Sequence, residues 1–142
     1  MPEFRYGKGR IIESISYITE EIKEFDAEYA AQTWKDYRDD KKLQKLIDRT
    51  VENILTALIE VCGAVLTGRG VGVESYSEAL AGAGRLFGFS ETEQEDLSRL
   101  AVQRNRLAHR YLNFRWQAVR MFAEQRPLVV KLLDGVLAGE TK

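Results

Sequence analysis

The chain has 142 residues, of which 44% are hydrophobic and 30% charged, a length and composition that fit one globular domain spanning 1–142 and exclude a low-complexity or disordered chain. The formal net charge of -1 excludes a uniformly basic nucleic-acid binder, and Cys62, the single cysteine, excludes an internal disulfide and leaves a thiolate metal site without partners. The opening run Met1-Pro2-Glu3-Phe4-Arg5-Tyr6 lacks the unbroken apolar stretch of a signal peptide or membrane span, so a cytoplasmic protein with no membrane partner is expected.

Ile11, Ile15, Ile18, Ile22 and Phe25 recur at three- and four-residue steps and predict a first amphipathic helix that begins near Gly9. Its continuation through Tyr29, Trp34 and Tyr37 is more polar, which predicts a bend or break around Asp26. Asp39 or Asp40 offers an N-cap for a second, long helix bearing Leu43, Leu46, Ile47, Val51, Ile54, Leu55, Leu58, Cys62, Val65 and Leu66. So broad an apolar face needs cover on two sides, from neighbouring helices or from a second copy of the chain. Gly68 and Gly70 end this helix, and the Gly-Arg-Gly-Val-Gly run at 68 to 72 reads as a turn or flexible loop, since the lysine and hydroxyl of a phosphate-binding loop are missing and no strand precedes it.

Ser75 or Ser77 caps a short third helix that runs through Leu86. Ser90 and Glu93 match a capping box for a fourth, whose inward face is Leu97, Leu100 and Ala101. That helix leads into Arg104-Asn105-Arg106-Leu107-Ala108-His109-Arg110-Tyr111. Asn113 caps a last helix bearing Trp116, Val119, Met121 and Phe122, which Pro127 kinks or interrupts before Val130, Leu133 and Leu137. The expected fold is an all-α antiparallel bundle of four to five helices.

Charge is unevenly placed along the chain. Arg104, Arg106, Arg110, Arg115, Arg120 and Arg126 share positions 104 to 126 with one acid, Glu124, and could hold phosphate; Glu74, Glu78, Glu91, Glu93, Glu95 and Asp96 make the preceding stretch acidic. His109 is the only histidine, hence the only side chain with an unperturbed pKa near neutrality. On a continuous helix Asn105 precedes it by one turn and could orient its ring, whereas Arg104, five residues away, would point more than about 100° from it. Either the helix ends between Arg104 and His109, or the same residues of a second subunit complete the site across a two-fold interface, and the two remedies are compatible. By spacing alone, a lone histidine is more often structural than catalytic, and Tyr111 reads as a packing residue with its hydroxyl at the surface.

The segment from Arg104 to Tyr111 resembles the signature of HEPN proteins, in which an arginine followed by asparagine precedes a histidine by four to six residues. HepT-like members add a tyrosine two places after the histidine, the position of Tyr111. The resemblance extends to the first helix, Val51-Glu52-Asn53-Ile54, Ser75-Tyr76-Ser77-Glu78 and the final helix, and so covers nearly the whole chain. It implies a homodimeric endoribonuclease that uses no metal or other cofactor, with two motifs meeting in one composite cleft. In that reading His109 exchanges the proton, Arg104 holds the phosphate, Asn105 positions them, and Arg106, Arg110 and Arg115 bind RNA; cleavage leaves a 2′,3′-cyclic phosphate and a 5′-hydroxyl. Transfer RNA and messenger RNA offer the same phosphodiester as substrate. The resemblance also implies a toxin whose cognate MntA-like nucleotidyltransferase antitoxin silences it by transferring AMP to Tyr111, placing bulk and negative charge where RNA phosphate must enter. The alternative is a non-catalytic partner that helps a small nucleotidyltransferase present its substrate, and an oligomeric scaffold is a third reading.

Overall fold

The computed structural model describes residues 10–141. Helix α1 (Arg10–Glu24) passes into a π-helical turn over Phe25–Tyr29, and α2 (Trp34–Asp39), α3 (Lys41–Gly68), α4 (Tyr76–Leu86), α5 (Glu91–Arg106) and α6 (Leu112–Glu140) follow. The described residues contain no strand, and the bundle has six α-helices once short α2 is counted, against the four to five expected. The expected start near Gly9 lies outside the described residues.

Capping chemistry sets most of the boundaries. The π turn begins beside Asp26, but the chain leaves helical geometry only after Tyr29, where Thr33 and Asp36 form a reciprocal capping box that starts α2 anew. Asp40 caps α3, Ser75 caps α4, and Ser90 with Glu93 makes the expected box on α5. Gly70 has φ +77°, a conformation that costs other residues and lets the chain turn sharply out of α3. Asn113 is not the cap of α6: Tyr111 occupies that position without a side-chain cap, because Leu112 already packs against the core and draws the helix start upstream. Pro127 does not interrupt α6. Its ring lies on an exposed face, while Phe122, Leu128, Val129 and Leu132 on either side are buried and hold the helix course.

Helix α3 is the axis of the bundle and packs on α1, α2, α4, α5 and α6. Ile47, Val51, Ile54, Leu55, Leu58, Val61 and Cys62 are fully buried, each large side chain contributing roughly 1.5–3 kcal/mol. By length and composition α3 could cross a membrane, yet 61% of its most apolar window is buried inside this bundle. Leu46, expected on the apolar face, is exposed. Burial pushes the Cys62 thiol up to about 12, so it remains an inert packing group. Helices α4 and α5 run antiparallel, with Ser77 donating to the Ser98 carbonyl and Gly84 close against Leu97. That pairing sets the start of α4, with Glu74 and Glu78, beside the arginine-bearing end of α5, so the acidic and basic stretches partly interleave.

Candidate functional site

Helix α5 ends at Arg106, between Arg104 and His109, the first of the two alternatives left open by the spacing. Leu107 is buried and pins the turn, its N–H bonded to the Gln103 carbonyl. The Ala108 and His109 amides donate to the carbonyls of Asn105 and Arg106, closing the chain over the helix end. Leu112 then anchors α6. Between these two leucines Ala108, His109, Arg110 and Tyr111 are all exposed.

Arg104 stays on the last turn of α5 and reaches across to other helices. Its Nε donates to Thr56 Oγ1 of α3 at 2.8 Å, and the guanidinium lies over the Tyr76 ring of α4 at 5.7 Å. A planar cation held at one nitrogen and one face keeps a fixed orientation. Asn105 is exposed and does not bond His109; the end of the helix removes the one-turn relationship that would have joined them. Arg106 bonds weakly to Gln103 on its own helix.

His109 Nδ1 accepts a hydrogen bond from the Tyr111 backbone N–H at 3.3 Å. In the neutral ring this assigns the proton to Nε2, which becomes a donor. The His109 ring lies 4.8 Å from that of Tyr111 and 4.9 Å from that of Phe114, and the Tyr111 and Phe114 rings meet nearly at right angles at 5.8 Å. Arg110 caps the group, with its guanidinium 5.2 Å from the Tyr111 ring centre and Nη2 bonded to the tyrosine hydroxyl. Tyr111 and Phe114 remain 49% and 37% exposed, so Tyr111 serves this surface cluster and not the core.

Arg115 turns the other way. It forms an ion pair at 2.8 Å with Asp48 of α3, whose other carboxylate oxygen accepts from the fully buried Tyr37 hydroxyl at 2.6 Å. Burial raises the Asp48 carboxyl above its ordinary range against the opposing pull of Tyr37 and Arg115, and it drives the Tyr37 hydroxyl upward as well. Arg126 is likewise engaged, with Asp26 of the π turn. Lys45 and Arg49 line a groove of about 520 Å³ with Asp48, Glu52 and Arg115, which reaches Leu107. Among the described residues no three histidine, cysteine or carboxylate side chains are grouped to hold a metal ion.

Thus one chain gathers His109 and Tyr111 on a single loop and sets Arg104 on the helix end before it, but turns Arg115 inward. Sequence reasoning missed Thr56, Tyr76 and Phe114. Tyr76 and Thr56 join Arg104 only through tertiary packing. Phe114 stands three residues after Tyr111, a spacing that shares a helix face and was available in the sequence once the helix start was known.

The family model described as ribonuclease HepT-like matches residues 15–129, a span that runs from within α1 through α5 and into α6. No curated protein gives a match to the chain.

Proposed function

The chain belongs to the ribonuclease HepT-like family, within the HEPN superfamily and its association with toxin–antitoxin pairs, and from that premise we propose that it is a metal-independent endoribonuclease toxin. The observation that carries this reading is the end of α5 at Arg106, which leaves His109 on an exposed loop directly after the helix turn that fixes Arg104.

The chemistry needs little more than these groups. The ribose 2′-oxygen attacks the adjacent phosphorus and the bond to the 5′-oxygen breaks, giving a 2′,3′-cyclic phosphate and a 5′-hydroxyl. The 2′-hydroxyl loses a proton and the leaving oxygen gains one. A neutral His109 presents Nε2–H and suits donation, whereas base action at Nδ1 requires release of the weak bond from the Tyr111 amide. Two copies of His109 in a composite homodimer cleft could divide these roles, with Arg104 of each stabilising charge on the phosphate. Asn105 and the half-buried Arg106 on the end of α5, and exposed Arg110 on the loop after it, are the groups offered to position the strand. Exposure of Tyr111 supports its modification by a nucleotidyltransferase antitoxin, since AMP there would cover His109 and oppose phosphate. We take the whole chain as one cytoplasmic domain in this role.

The test is cleavage of total RNA in excess chelator by the parent chain and by His109→Ala. Fragments with cyclic phosphate ends from the parent, reduced at least about 100-fold in the variant, are expected. Unchanged cleavage by His109→Ala would sink the assignment. Silence of both, with Tyr111 unmodified by mass, would favour the non-catalytic nucleotidyltransferase partner.

A further inference from the structure

Phe114 is the one member of the exposed cluster without a polar tip. Tyr111 and His109 carry hydrogen-bonding atoms that explain their contact with water, but a phenylalanine ring left 37% open on the first turn of a helix has no such reason. The other exposed aromatics among the described residues are accounted for locally: Trp34 packs on Tyr37 and Trp116, Tyr17 bonds Glu21, and Tyr76 lies under Arg104. Here the three rings of His109, Tyr111 and Phe114 contact one another at the surface, with the Phe114 ring nearly perpendicular to both partners. The result is an aromatic corner open to solvent.

The charge around that corner selects its occupant. Arg110 lies on the Tyr111 ring, and Arg106 is on the adjoining helix end. An apolar peptide would have to bury these cations without partners. A second copy seated directly on the corner would bring Arg110 against its own equivalent, which is unfavourable unless an anion lies between. An unpaired nucleotide satisfies both features, since its base stacks on an aromatic face and its phosphate meets guanidinium. A base within a duplex cannot do so, because its faces are already covered.

We propose that Phe114, supported by Tyr111 and His109, is a stacking seat for an unpaired nucleobase beside the phosphate handled by Arg104 and His109. This deepens the ribonuclease reading and rests on it for the identity of the neighbouring phosphate. The seat makes Phe114 a specificity residue: it admits a strand only where a nucleotide can leave its stack.

The experiment uses the full chain and a short labelled 2′-O-methyl oligonucleotide, whose blocked 2′-oxygen prevents cleavage. Affinity is measured for the single strand, for the same strand paired with its complement, and for an abasic strand of equal charge. The parent is expected to prefer the base-bearing single strand to the abasic one by about tenfold or more. Phe114→Ala and Phe114→Leu should lose that preference, and Phe114→Trp should restore it. Leucine keeps apolar bulk without a ring, so retention of the preference in Phe114→Leu would overturn stacking, as would equal binding of base-bearing and abasic strands by the parent. Dissociation of an oligomer on Phe114→Ala, with nucleic-acid binding unchanged, would instead assign the corner to an interface between copies and overturn the seat. Cleavage of unmodified RNA is scored separately. Cleavage with a flat Phe114 series would sink the seat and spare the ribonuclease; base-dependent binding without cleavage would do the reverse.

Discussion

Phe114 and Arg115 are neighbours in the chain with opposite fates. The apolar ring faces solvent in a cluster with His109 and Tyr111, while the charged side chain is largely buried against Asp48 and Tyr37. Ordinary burial preferences predict the reverse. The inversion separates two tasks on one turn of helix. The buried trio ties the start of α6 to α3 and α2, and this fixed base lets the loop before it expose aromatic and basic groups without support from a core of its own.

The largest effect that could break this comparison is on stability. Asp48→Ala removes the carboxylate paired with Arg115, whose side chain is 20% exposed and whose Nε already has no partner. A loss of about 3–5 kcal/mol is expected in urea unfolding, against roughly 0.5 kcal/mol or less for Phe114→Ala. A mild Asp48→Ala, or a severe Phe114→Ala, would erase the distinction between an anchoring trio and an exposed one. Tyr37→Phe removes a single hydrogen bond to the same carboxylate while keeping the ring on Trp34 and Trp116. It should cost about 1.5–3 kcal/mol. A smaller loss would mean that Asp48 is held by Arg115 alone.

Much of this arrangement was legible in the sequence, though unequally. The helices were readable because their apolar residues recur at helical spacing and because Asp40, Ser75 and Ser90 are short oxygen-bearing caps whose chemistry is local. The bend or break expected around Asp26 is met by the π turn over Phe25–Tyr29, which keeps Phe25 and Tyr29 both buried and defers the full break until after Tyr29. The start of α6 was placed too late, because Asn113 is a better cap than Tyr111 and only the packing of Leu112 overrides it. At the candidate site, Arg104, His109 and Tyr111 were visible as a segment. What holds Arg104 was not, because Thr56 and Tyr76 come from helices 48 and 28 positions away in sequence. Arg115 resembled its exposed neighbours in every local respect, and only Asp48 on a distant helix distinguishes it.

The smallest effect sharpens the comparison through pH, because buried and exposed carboxylates should give slopes of opposite sign. Asp48 has its folded value raised above the ordinary 3.8, chiefly by burial, so the folded state binds its proton more readily than the unfolded one. Its contribution is greatest below 3.8 and is lost as pH rises through the raised value. Glu93 is lowered from 4.5, first by the Ser90 backbone N–H and then by Lys131. Its contribution is present above 4.5 and is lost as pH falls through the lowered value. Unfolding measured between about pH 3 and 7 for the parent, Asp48→Asn and Glu93→Gln should therefore show the parent's difference from Asp48→Asn shrinking or turning against the parent with rising pH. Its advantage over Glu93→Gln should grow. If both differences rise with pH, the attraction of Arg115 outweighs burial at Asp48, and the trio is an ion pair stabilised by its charges and not a carboxylate held at a cost to order the loop.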